Sequence, residues 1–116
     1  MAANISKVKC KEYAGVEVTY TALTTSYKTV DFTGVDENTL LLVSNSSASA
    51  AATLTIKQGN GIAGVADLEI EVAAGKTLAL QLNSQEFMSV SGEDKGCLNA
   101  KASAASTLSL AVVELL

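Results

Sequence analysis

The residue patterns in this chain that could carry chemistry are few, and each has a plainer reading beside it. Gly59-Asn60-Gly61-Ile62-Ala63-Gly64 spells the letters of a dinucleotide-binding loop. Such a loop works because its glycines bring backbone N–H groups up to a pyrophosphate at a helix N-terminus. Here the next segment, Asp67-Leu68-Glu69-Ile70-Glu71-Val72, alternates like a strand. The glycines are therefore expected to join two strands and to hold no phosphate. Gly92-Glu93-Asp94-Lys95-Gly96 sets acids in a glycine-bounded loop but lacks the alternating ligand spacing of a calcium loop, and reads as a solvated turn. Glu69 and Glu71 would be paired carboxylates on one strand face, with nothing in the pattern to supply a cleft. The chain has no His, which removes the commonest general base and metal ligand. Cys10 and Cys97 stand far apart, outside any C-x-x-C pair, and are expected to be free, partly buried thiols. No Ser or Cys has a neighbouring Lys or Asp pattern that would activate it. The expectation is a protein that is not an enzyme and needs no cofactor, metal or disulfide.

The remaining candidate is a charge feature. Lys7, Lys9 and Lys11 lie in the first eleven residues, which carry no acid. From Glu12 onward there are 12 acids and 5 Lys, a balance of −7 within the total of −4. A basic arm, residues 1–12, is expected to precede a single domain over residues 13–116. Lys7, Lys9 and Lys11 are its candidate partner-binding residues, and no local pattern gives the arm a strand of its own to complete. All eight bases are Lys and none is Arg. Without Arg's bidentate fork, and with an acidic balance, nucleic acid is not an expected partner. No run approaches the ~20 apolar residues of a membrane span, and the N-terminus has no apolar core of a signal peptide. Synthesis in a cytoplasm, away from membranes, is expected.

The elements that must position any site are strands. Val16, Val18 and Tyr20 alternate with Glu17, Thr19 and Thr21. Leu54 and Ile56 alternate with Thr53 and Thr55, and Leu68, Ile70 and Val72 with Asp67, Glu69 and Glu71. Leu78, Leu80 and Leu82 alternate with Ala79 and Gln81, and Leu108, Leu110 and Val112 with Thr107, Ser109 and Ala111. Successive strand residues face opposite ways, so each run has one core face and one wetter face. Leu40–Val43 is apolar on both faces and reads as a central strand. Tyr27–Phe32, Glu86–Val90 and Leu98–Ser103 are weaker strand candidates. Glycine and small polar residues fall between the runs, which predicts about eight short strands in an all-β sandwich or barrel. The five-residue loop Ala73–Thr77 suggests a hairpin with Val72 facing Leu78, Ile70 facing Leu80 and Leu68 facing Leu82. Ile70, Leu80, Tyr20 and Phe32 are then expected core residues.

Apolar residues make up 48% of the chain, but 18 of them are Ala and there is no Trp. So few large anchors would favour association with copies of itself or with a larger assembly. The stretches 38–56, 77–85 and 102–113 carry no charge. They must be central in their sheets or covered by a partner, because long uncharged edges invite aggregation.

Residues 40–82 resemble small accessory, or decoration, proteins on the heads of tailed bacteriophages. The resemblance lies in Leu40-Leu41-Leu42-Val43-Ser44-Asn45, Ala52-Thr53-Leu54-Thr55-Ile56-Lys57-Gln58-Gly59-Asn60-Gly61, Gly64–Ile70 and Val72-Ala73-Ala74-Gly75-Lys76. The ending, Thr107–Leu116, is also similar, and the first 35 residues match less well. The resemblance implies a small antiparallel, jelly-roll-like β-sandwich that binds the phage major capsid protein lattice from outside and reinforces or decorates it. It also implies a virion location after synthesis in the bacterial cytoplasm, and a homo-oligomer, with a trimer among the options. The family has no catalytic residues to carry over. The competing class is a non-catalytic binding module, of carbohydrate-binding or adhesin-like type. Its aromatic candidates are confined to Tyr13, Tyr20, Tyr27, Phe32 and Phe87.

Overall fold

A computed structural model describes residues 4–32, 38–58, 66–82, 87, 96–104 and 107–115. Within them nine strands follow in chain order: β1 (Lys7–Lys9), β2 (Thr21–Ala22), β3 (Lys28–Asp31), β4 (Thr39–Asn45), β5 (Ala52–Ile56), β6 (Leu68–Val72), β7 (Thr77–Leu80), β8 (Cys97–Ala102) and β9 (Leu108–Glu114). They make two sheets. Sheet I runs β1-β9-β4-β7, with β2 sharing the outer edge of β9 with β1. Sheet II runs β3-β8-β5-β6. Every pairing between these strands is antiparallel except β1 with β9.

The alternation read from the sequence sets which face is dry. In β4, Leu41 and Val43 are fully buried while Leu40 and Leu42 are half-buried on the other face. Their cross-strand partners in β9, Val112 and Leu110, are also fully buried. Sheet II contributes Val30, Leu54, Ile56 and Leu98 to the same interior. The two sheets thus pack face to face on one aliphatic core, as a sandwich requires. Ala52, Ala100 and Ala102 are buried on sheet II, where their small side chains fill the space between larger ones. Cys10 and Cys97 form no disulfide, and Cys97 is buried.

Asn45 is the polar exception inside. It is 2% exposed, and its side chain joins the sheets. Its Nδ2 donates to the carbonyl of Val72 in sheet II (2.9 Å) and to that of Ala50 (3.0 Å). Its Oδ1 accepts from the Ser47 N–H at 2.9 Å. The small-polar stretch after β4 is therefore a turn folded around one amide, which carries the chain from sheet I to sheet II.

Several expectations are corrected. The anticipated hairpin between β6 and β7 does not exist, because β6 pairs with β5 and β7 with β4. Leu54 faces Ile70, and Leu41 faces Leu80. The link at Ala73–Lys76 is a tight turn, closed by the Lys76 N–H donating to the Ala73 carbonyl (3.1 Å). Gly75 sits there at φ +71°, which a side chain would strain. This turn swings the chain from one sheet across to the other. The parity of both runs survives, since the acids stay outside, but Ile70 and Leu80 are half-buried. The run from Val16 to Tyr20 is not a strand, and Tyr20 is 41% exposed. The outer edge of β9 is taken by β1 at residues 112–114 and β2 at 109–110, so this run has no place beside β9. Phe32 is core, at 1% exposure. The uncharged strands β4, β5 and β9 are central, whereas β7 is an edge. Glu86–Val90, apart from Phe87, and the loops 59–64 and 92–95 lie outside the described residues.

Leu110→Ala should destabilise the fold by about 2–5 kcal/mol, through lost transfer energy and a cavity. Ile70→Ala should cost roughly 1–2 kcal/mol and Glu71→Ala within about 0.5. Urea melts check this order, and equal costs at Leu110 and Glu71 would contradict the assigned faces. Asn45→Ala should cost about 2–3 kcal/mol, because it leaves buried backbone groups unpaired. If melts show Asn45→Ala to be neutral, the amide does not join the sheets.

Candidate functional site

Lys7, Lys9 and Lys11 do not lie on a detached arm. The N-terminal segment is stitched into both sheets. Ile5 bridges Val30 of β3, with Ile5 N–H donating to the Thr29 carbonyl (3.0 Å) and Asp31 N–H to the Ile5 carbonyl (2.9 Å). Asn4 Oδ1 accepts from the Thr29 N–H and Oγ1, both at 3.0 Å. Lys7–Lys9 then runs parallel to Val112–Glu114, and the Cys10 N–H donates to the Glu114 carbonyl at 2.8 Å. The expectation that this segment has no strand of its own to complete is overturned. It closes the seam between sheet I and sheet II, and Ile5 is 1% exposed in the core. The sequence signal was weak because a three-residue strand containing two Lys carries almost no alternation.

The three lysines part company in this setting. The Lys7 ammonium lies 2.5 Å from a Glu114 carboxylate oxygen, and the two side chains are only 15% and 22% exposed. The direct bond to Lys7 holds the Glu114 carboxyl below its ordinary value, against a smaller opposing effect of desolvation; the charges of Lys7 and Lys9 lower it further. Lys9 and Lys11 are exposed. Between Lys11 and Ala14, which form an isolated bridge, Tyr13 turns at φ +57° and stands 99% exposed. Two free ammonium groups and an aromatic ring thus project at the β1 edge of sheet I.

The outer faces of the two sheets differ in kind. On sheet I the outward positions of β4, β7 and β9 are Leu40, Leu42, Ser44, Thr77, Ala79, Ser109, Ala111 and Val113, and none is charged. On sheet II they include Asp31, Glu69, Glu71 and Lys101. Sheet II also carries a groove of about 460 Å³ whose lining includes Tyr27, Thr53, Thr55, Asp67, Glu69 and Lys101. Lys101, Thr55 and Glu69 form one cross-strand row over β8, β5 and β6. Tyr27, just before β3, has the Lys101 and Lys57 ammonium groups 4.8 and 5.6 Å from its ring centroid. Asp67 is anchored by the Gln58 N–H, which donates to its Oδ1 at 2.9 Å. Of the Glu69 and Glu71 pair, only Glu69 lines this cleft. Tyr27 was among the aromatic candidates of the binding-module reading, but its meeting with Lys101 had no sequence signal, because the two lie far apart in the chain.

Among the described residues no group of three or more His, Cys, Asp or Glu is placed to hold a metal ion. No helix among them is long and apolar enough to cross a membrane.

The Lys7–Glu114 contact has a pH signature. Glu114 titrates lower in the folded protein than in the unfolded chain, so its contribution to stability is present above the ordinary glutamate pKa of about 4.3. That contribution is lost as pH falls through the lower folded value. Glu114→Gln should melt lower than the parent near neutral pH, and the difference should shrink on acidification below the ordinary glutamate range. Thermal melts across pH measure it, and a difference independent of pH would refute the coupling.

Comparison with known proteins assigns no identity to the chain: no family model, no curated protein and no solved structure matches it.

Proposed function

We propose that this chain is a non-catalytic structural protein of a tailed-bacteriophage virion, docked on the outside of the major capsid protein lattice through the outer face of sheet I. The observation that carries the reading is the contrast between the outer faces. A charge-free, half-apolar face such as Leu40, Leu42 and Ala79 present is suited to close packing against protein, where desolvating charge would oppose binding. Lys9, Lys11 and Tyr13 border it at one edge, and suit an acidic rim on the partner. The resemblance of residues 40–82 to phage head-decoration proteins points the same way.

We propose further that the sandwich is a jelly roll, with β1 added to it. The orders β2-β9-β4-β7 and β3-β8-β5-β6 support this, since consecutive strands change sheets at most connections, as two intertwined Greek keys require. Such double-sheet folds recur in viral capsid and lectin domains. A homo-oligomer, a trimer included, would cover the small-residue edge at β7 that the fold leaves with one neighbour.

Co-sedimentation with undecorated capsids tests the docking face. Ala79→Glu puts a charge on an exposed outward position of the edge strand, so it should leave the fold intact and weaken capsid binding at least about tenfold, or 1.4 kcal/mol. Glu71→Lys, on the opposite sheet, should bind like the parent. Binding should also weaken as salt rises, because exposed charge pairs are screened beyond about 8 Å at physiological ionic strength. Full binding by Ala79→Glu would reject the sheet I face.

A further inference from the structure

We propose that the groove on the outer face of sheet II is a binding site for a neutral saccharide. Its walls have opposite chemistry. Asp67 and Glu69 present carboxylates, which only accept hydrogen bonds, and Lys101 presents an ammonium, which only donates. Between them the Thr53 and Thr55 hydroxyls do both. A ligand that satisfies every wall must donate and accept along its length, as a run of sugar hydroxyls does. A simple anion would meet the two carboxylates, and a simple cation would meet Lys101 with Lys57 close behind. The ring of Tyr27 already has ammonium groups beside it, so it serves as a fixed wall and does not act as an open stacking platform. The groove's 460 Å³ suits a ligand of one or two sugar rings.

The site is also held before any ligand arrives. Thr53, Thr55, Glu69 and Lys101 stand on paired strands. Ser103 Oγ accepts from the Thr53 N–H at 2.9 Å, and Ser103 N–H donates to the Thr53 carbonyl at 2.9 Å. The approach to Tyr27 is bent by Thr24 Oγ1, which accepts from the Ser26 N–H at 3.2 Å. The backbone that carries these side chains is thus fixed before binding, which favours affinity. The groove is open, so an individual sugar should bind with a Kd on the order of 1 mM, and many copies on one particle would raise the avidity. The site lies on the sheet facing away from the proposed capsid contact. It is independent of that reading and compatible with it.

Amide chemical shifts of the intact protein, titrated with glucose, galactose and N-acetylglucosamine, test the proposal. Dextran is the polymeric arm, which separates a surface glycan from a free sugar as the natural source, and sodium phosphate is the anion arm. Saturable shifts at Thr53, Thr55, Glu69 and Lys101 with at least one saccharide are expected. Glu69→Gln and Lys101→Met should each weaken them about tenfold, while Ala79→Glu should leave them unchanged. The proposal is overturned if no saccharide gives saturable shifts, if phosphate alone does, or if the shifts persist undiminished in both groove variants. Because the measurement needs no capsid, its failure and the failure of capsid docking are distinct results.

Discussion

Strand β9 is paired along both edges, and the rest of sheet I depends on that double pairing. Leu108–Glu114 meets all of β4 on one side, and β2 and then β1 on the other. Its inward residues Leu108, Leu110 and Val112 are fully buried, so the same seven residues supply ladder and core at once. Ala111 and Val113, on the outward face, are buried as well. The outer face of sheet I can be both flat and uncharged because its central strand contributes only Ser109, Ala111 and Val113 there. The surface proposed for docking and the stability of the sheet thus rest on one segment.

The way the chain commutes between sheets explains what could be read in the sequence. The β5 to β6 connection stays within a sheet, whereas β6 to β7 crosses. In the sequence both are an aliphatic alternation, a glycine-containing link and another alternation, although the link that crosses, 73–76, is far shorter than the one that does not, 57–67. Period-two alternation reports which face is dry, and it did so correctly for Leu54, Ile56, Val72, Leu110 and Val112. It says nothing about which strand lies alongside, since inward aliphatic residues match across the core as readily as along a sheet. The same limit misled at Val16–Tyr20, where the pattern suits a strand but none of the described strands pairs with the run.

The functional surfaces were legible to different depths. The uncharged stretches were visible in the sequence, and the structure adds that they supply β4, β7 and β9 to sheet I and β5 to sheet II. The lysines of the first eleven residues were visible too, but only the fold separates Lys7, committed to Glu114, from Lys9 and Lys11, which face solvent. The groove had no linear trace. Tyr27, Thr55, Glu69 and Lys101 come from four separate segments, and no pattern in the sequence brings them together. Glu69 and Glu71 differ only by position along β6, yet one lines the cleft and the other faces open solvent.

The central place of β9 also constrains biosynthesis. The strands β1, β2 and β4 are all made well before Leu108–Glu114, and each needs that segment as its neighbour. While they emerge from the ribosome, sheet I has no middle, and its apolar faces have nothing to close against. Sheet II can begin to pair β5 with β6 at once, but the sandwich stays open until the β9 residues have left the exit tunnel. Folding is therefore dominated by contacts distant in sequence, the class of topology that folds slowly. The nascent chain must stay soluble through that delay with its strand edges exposed. The acidic balance of residues 12–116 serves that interval, since mutual repulsion keeps unfinished copies of the chain from pairing with one another.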